Sequence, residues 1–150
     1  MPTLALDDVD LRYQVTGDGP PLIFLHGGWM NGEAWRPQVD RFTPEYRVVT
    51  VDLRGHGRTG ESGQRRYSVE LFTDDVEALL AHLDVDRPIL CGLSLGGMVV
   101  QEYLDRHPDQ ARRAVVAGPA QSMPPVDVPS EFKPFVSPLP WIAATASFAG

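Results

Sequence analysis

Three times in this chain a continuous apolar run stops at a cluster of glycines: "PLIFLHGG", "YRVVTVDLRGHG" and "RPILCGLSLGG". A strand with one wet face alternates apolar and polar residues. A run without alternation has both faces buried, which is the profile of a parallel sheet covered by helices on either side. The segments between the runs predict those helices. "SVELFTDDVEALLAHLDV" places Val69, Phe72, Val76, Leu79, Leu80 and Leu83 at helical spacing, with Ser68 in the N-cap position. "LGGMVVQEYLDRHPD" predicts a helix that ends before Pro108. "NGEAWRPQVDRF" predicts a shorter helix capped by Asn31, in which Pro37 either lies in the first turn or forces a break. Before the first run "LRYQV" alternates and ends in the turn "TGDGP"; after the last helix "ARRAVVAGP" predicts one more strand. The order predicts an α/β fold, a mainly parallel sheet with flanking helices. Right-handed crossovers then gather the strand-to-helix loops on one sheet edge.

Beyond Gly118 the rhythm is lost. Residues 119–140 hold seven of the fourteen prolines, and "WIAATASFAG" follows, short and apolar. The chain therefore divides into residues 1–118, a sheet-and-helix core, and residues 119–150, a Pro-rich excursion. Thirteen basic against twenty acidic residues give a net charge of −7, which argues against nucleic acid or an anionic membrane as a partner. No apolar run approaches the length of a membrane span, and the acidic N-terminal stretch does not read as a secretory leader. A single cysteine, Cys91, forms no internal disulfide. A cytoplasmic protein is the expectation.

Chemistry is expected where the three glycine loops converge, beyond the carboxyl ends of the strands. In "CGLSLGG" the apex residue of a sharp strand-to-helix turn is Ser94. Gly92 and Gly96, two positions either side, leave room for the turn. Such a turn lifts the Ser94 hydroxyl clear of the sheet and sets the Leu95 N–H at a helix start, where it can donate to a developing oxyanion. Taken alone, a G-x-S-x-G pentapeptide is weak; a strand before it and a helix after it are what the motif requires. A second N–H for an oxyanion would come from the loop after "PLIFL", at Gly28 or Trp29. His26 in that loop reads as a hydrogen-bonded residue that pins it. Trp29, Met98 and Trp141 are pocket candidates, although Met and aromatic side chains serve more often as core. In "DLRGHGRT", Asp52, Arg54 and His56 look like a catalytic set. His82 and His107 read as solvated, and Cys91 as a buried, inert thiol.

Together, "HGG…W", "DLRGHGRT" and "GLSLGG", in this order and spacing, resemble the α/β-hydrolase superfamily, within it the enol-lactonase, carboxylesterase and cofactor-free perhydrolase group. The resemblance runs from about Leu11 to Gly118. It implies Ser94 as nucleophile and the Gly28 and Leu95 amides as oxyanion hole, with no metal or organic cofactor. For "DLRGHGRT" it implies the plainer reading, a structural loop with Asp52 and Arg54 paired. It also implies a small-molecule carbonyl substrate, an ester, lactone or thioester, cleaved by acyl transfer. A serine nucleophile needs a base, and in this fold the order is Ser, then Asp or Glu, then His. Downstream of Ser94 the sequence offers only His107, about 20 Å away at the far end of the next helix. Asp127 and Glu131 fall in the Pro-rich excursion. The base and acid of a triad are thus absent from these residues, and residues 119–150 resemble the start of the family's lid. The strand "RAVVAG" would then be an open apolar edge, to be met by another chain, its own tail or a swapped copy. Three explanations follow: a fragment of a longer chain, a subunit completed by a partner, or a short protein that has lost catalysis. The alternative to a serine hydrolase is a non-catalytic half-domain that binds a ligand or a partner.

Overall fold

A computed structural model describes residues 1–64, 66–118, 126–127 and 146–149. In chain order the elements are β1 (Thr3–Ala5), β2 (Asp10–Thr16), β3 (Pro21–Leu25), a 3-10 turn (Gly32–Trp35) and α1 (Arg36–Phe42). They continue through β4 (Arg47–Asp52), β5 (Arg66–Tyr67), α2 (Val69–His82), β6 (Ile89–Leu93), α3 (Leu95–Arg106) and β7 (Arg113–Ala117). Two short strands, β8 (Val126–Asp127) and β9 (Ala146–Ala149), complete the set. The main sheet runs β1-β2-β4-β3-β6-β7-β9. Its centre, β4-β3-β6-β7, is parallel; β1 and β2 at one end and β9 at the other are antiparallel.

The continuous apolar runs are buried for the reason their pattern indicates. In β3, Ile23 and Leu25 join one core cluster while Leu22 and Phe24 face the opposite one, and all four are buried. The larger cluster lies under α2 and α3 and holds Phe72, Val76, Leu79, Val99 and Val100. The smaller lies under the 3-10 turn and α1, where Trp35 stacks on Phe24 with ring centroids 4.7 Å apart. Which helix covers which face follows from strand order. From β3 the chain steps to β4 on one side, then crosses back over β3 to β6 and on to β7. Right-handed crossovers running in opposite directions put their helices on opposite faces. The reversal also opens a crevice above the carboxyl end of β3, between the loops that leave β3 and β6.

Helix starts obey their local chemistry. The Ser68 side chain accepts from the Leu71 N–H, and Asn31 from the Glu33 N–H. The expected single helix after Asn31 is split: Pro37, which has no N–H, sits in the first turn of α1, and a 3-10 turn precedes it. The outer edge of β7 is not open: Ala146–Ala149 of the chain's own tail pairs with it, Val115 opposite Phe148. Apart from Val126–Asp127 (β8), the rest of the excursion, including Trp141 and Glu131, lies outside the described residues.

Candidate active site

Ser94 sits between β6 and α3 at φ 51° and ψ −110°, a backbone conformation that L-residues rarely adopt. Holding it there costs about 1–3 kcal/mol, supplied by the surrounding packing. The two glycines make the turn possible. A Cβ on Gly92 would overlap the Gly96 carbonyl, and one on Gly96 would overlap the Leu25 carbonyl of β3. So β6, α3 and β3 approach more closely than any side chain permits. The Ser94 N–H donates to the Ala117 carbonyl at the end of β7 (2.8 Å), and its own carbonyl accepts from Met98 in the first turn of α3. Leu95 opens the helix, so its N–H has no carbonyl partner within it. Met98 is buried among the core side chains beneath.

The loop after β3 lies against this turn. A Cβ on Gly27 would stand 3.5 Å from the Ser94 Cβ. Met30 N–H closes a turn on the Gly27 carbonyl (3.2 Å), with Trp29 at φ 66° where such a turn normally takes glycine. Trp29 and Met30 are among the most exposed large apolar residues described, at 49% and 37%. Around Gly28 there is open space: a Cβ there would meet nothing within 4 Å. His26 is fully buried, and burial pushes its imidazole down to about 4, so it is neutral. The Leu53 N–H donates to its Nε2 (2.9 Å), which places the ring hydrogen on Nδ1, where it donates to the Gly27 carbonyl (2.7 Å). The main chain of His26 is held as well, its carbonyl accepting from the Gly96 N–H of α3 (3.1 Å). The expectation that His26 pins the loop is met three times over.

The Asp52–Thr59 loop is structural, but not through the expected pairing of Asp52 with Arg54. Asp52 is buried on the α1 face, where its carboxylate accepts from the Gly32 N–H (2.7 Å) and the Arg58 N–H (2.8 Å). Arg54 turns to the other face and grips Asp75 of α2 with two bonds, 2.8 and 2.7 Å, and Asp8 with a third. The Asp75 carboxylate raises the guanidinium's affinity for its proton further, and Arg54 in turn holds the Asp8 carboxyl below its ordinary range. A charge at Asp75, set on the apolar stripe among Phe72, Val76 and Leu79, is the sequence signal for a buried cation partner.

Residues 20–147 match the family model for the alpha/beta hydrolase fold. The chain belongs to the alpha/beta hydrolase family. It is 33% identical to a non-heme chloroperoxidase, CPO-A1, of Kitasatospora aureofaciens, over 85% of this chain and 46% of that protein. It is 34% identical to 3-oxoadipate enol-lactonase 2 of Acinetobacter baylyi, over 79% of this chain and 45% of the relative. Among solved structures, Est816, described as an N-acyl homoserine lactone degrading enzyme, superimposes with a TM-score of 0.72 at 34% identity. That match covers 79% of this chain and 45% of Est816. The chain spans just under half the length of these relatives.

In this alpha/beta hydrolase chain each of the four histidines is engaged away from Ser94. His26 is held as above, and His56 Nδ1 lies 2.9 Å from the Arg54 carbonyl. The exposed His82 meets the Tyr13 hydroxyl. His107 is not simply solvated: at the far end of α3 it is half-buried, its Nε2 3.0 Å from Glu77. Burial raises the Cys91 thiol to about 11, which leaves it unreactive at neutral pH. Among the described residues no helix is long and apolar enough to cross a membrane.

Proposed function

We propose that this chain carries the nucleophile half of a serine hydrolase that cleaves ester or lactone substrates by acyl transfer. The observation that carries the reading is the strained backbone of Ser94 at a helix start, packed against the Gly27–Gly28 loop. Ser94 Oγ attacks the carbonyl carbon, and the carbonyl π electrons move onto oxygen. The oxyanion is received by the Leu95 and Gly28 N–H groups, with the α3 dipole adding to the field. Collapse expels the alcohol, which takes the proton removed from Ser94, and water then releases the acid. Trp29, exposed beside Gly28, lines the substrate side. The base and its carboxylate lie outside residues 1–150, of which residues 119–150 begin the lid. Relatives named as an enol-lactonase and a lactone-degrading enzyme support the substrate class.

A fluorophosphonate probe tests this directly. Mass spectrometry is expected to find the adduct on Ser94 and to lose it in Ser94→Ala; an adduct that survives that substitution overturns the reading. A second reading, a half-domain that binds without turnover, draws on the four histidines, all partnered away from Ser94. Saturable binding of a lactone, undiminished in Ser94→Ala and with no acid released, would favour it.

A further inference from the structure

We propose that His26 is a positioning residue that aims the Gly28 N–H, and that it does so only as the Nδ1–H tautomer. The catalytic consequence rests on the serine-hydrolase reading above; the geometric part stands without it. A trans peptide is planar, so the Gly27 carbonyl and the Gly28 N–H point in opposite directions from one rigid plate. Two donors clamp that carbonyl, the His26 Nδ1–H at 2.7 Å and the Met30 N–H at 3.2 Å. The Gly28 N–H therefore faces away from both. Among the described residues no other hydrogen bond holds this plate. Both its residues are glycine, the torsions on either side are free of side-chain sterics, and the space around Gly28 is open. The Met30 bond is the longer of the two, and it belongs to the same glycine turn. Among the described residues the imidazole is thus the one hydrogen-bond hold on the amide from outside the glycine turn.

The ring suits that duty because it is itself held. Leu53 N–H fills its Nε2, the side chain is fully buried, and the His56 ring lies 5.1 Å away, centroid to centroid. With both nitrogens occupied, it has no lone pair to offer Ser94 as a base. Exchanging the tautomer would set Nε2–H against Leu53 N–H and a bare Nδ1 against the Gly27 oxygen, two repulsions in place of two bonds. The main chain of the same residue receives the Gly96 N–H, one residue beyond Leu95. His26 therefore joins the carriers of both amide donors, Gly28 through its side chain and Leu95 through its backbone.

Two substitutions separate the two ring bonds. His26→Asn keeps a donor near the place of Nδ1 and loses the acceptor for Leu53; His26→Gln reaches the place of Nε2 and loses the donor to Gly27. In crystal structures of the variants, the Gly27–Gly28 peptide is expected to keep its direction in His26→Asn and to rotate in His26→Gln. Nitrogen NMR of the unsubstituted protein is expected to find the hydrogen on Nδ1. In p-nitrophenyl acetate hydrolysis by the protein complete with its base and carboxylate, His26→Gln is expected to lower kcat by about 100-fold with KM within about threefold. His26→Asn should lose less than about tenfold, whereas a role in stability alone would affect both through Tm and not through kcat. A ring protonated on Nε2, or an unrotated peptide in His26→Gln, overturns the proposal; the tautomer decides it even if His26→Gln does not fold. If the peptide rotates but Ser94→Ala leaves hydrolysis intact, the serine reading fails and the positioning role stands. If Ser94→Ala abolishes hydrolysis and His26→Gln does not lower kcat, the positioning role fails alone.

Discussion

Two residues beside the crevice, Ser94 and Trp29, hold positive φ without being glycine. For Ser94 the apex of the turn demands it. For Trp29 nothing in the packing does, because half the side chain is exposed and a smaller residue would close the same turn. Glycine there would release about 1 kcal/mol of backbone strain and forfeit little burial. Trp29→Gly is therefore expected to keep or raise Tm while weakening KM for ester substrates; a fall in Tm with KM unchanged would make Trp29 a packing residue. His26 sets a pH signature at the same scale. Its imidazole titrates near 4 in the folded chain against an ordinary 6.5, so between those values the unfolded chain binds more protons. Stability accordingly rises with pH across that window, by about 3 kcal/mol for this residue, and levels off above it. His56, also pushed down by burial, adds in the same direction. Urea midpoints measured from pH 4 to 7 should trace the rise, and His26→Asn should flatten most of it.

Elements join the sheet through pairs that span faces, and here the buried Arg54–Asp75 fork fastens the β4 loop to α2. Removing Asp75 leaves a buried guanidinium with Asp8 as its one charged partner among the described residues, so Asp75→Asn is expected to cost about 3 kcal/mol in chemical denaturation. A loss under 1 kcal/mol would mean that water reaches the guanidinium. This fork also marks where sequence reading stops. β3, β4, β6 and the three helices were legible because each carries its own periodicity or its absence, together with caps such as Ser68 and Asn31. The glycine spacing around Ser94 was legible because steric exclusion is local. What was not legible depends on partners far along the chain. Arg54 finds Asp75 and Asp8, not its near neighbour Asp52, because the two side chains leave the loop on opposite faces of the sheet. The short strands β1, β5, β8 and β9 are two to four residues long, too few for any alternation to declare itself. The bonds that fix the tautomer of His26 come from Leu53 and Gly27, and only the first is remote in sequence.

Across the whole molecule, the order of strands decides where the proposed site lies. Stepping first to one side of β3 and then to the other sends α1 to one face and α2 and α3 to the opposite one, and leaves the carboxyl end of β3 flanked by both other loops. The far edge is where the molecule is most exposed to mishap. β7 is apolar and is covered along its rim by four residues of the tail. Deleting residues 146–149 bares a row of unpaired backbone groups and should promote self-association, read as a concentration-dependent rise in sedimentation coefficient; a variant that stays monodisperse would show the rim guarded by other means.

That rim reaches further inward than its position implies. The Ser94 N–H ends on the Ala117 carbonyl, the last residue of β7 before the chain leaves the sheet. The apex of the turn is thus moored to the departing strand. Any tug on the chain after Gly118 is relayed through one bond to the backbone of the serine. Hydrogen exchange at that single amide then works as a gauge, reporting from the crevice how firmly the outer strand is berthed.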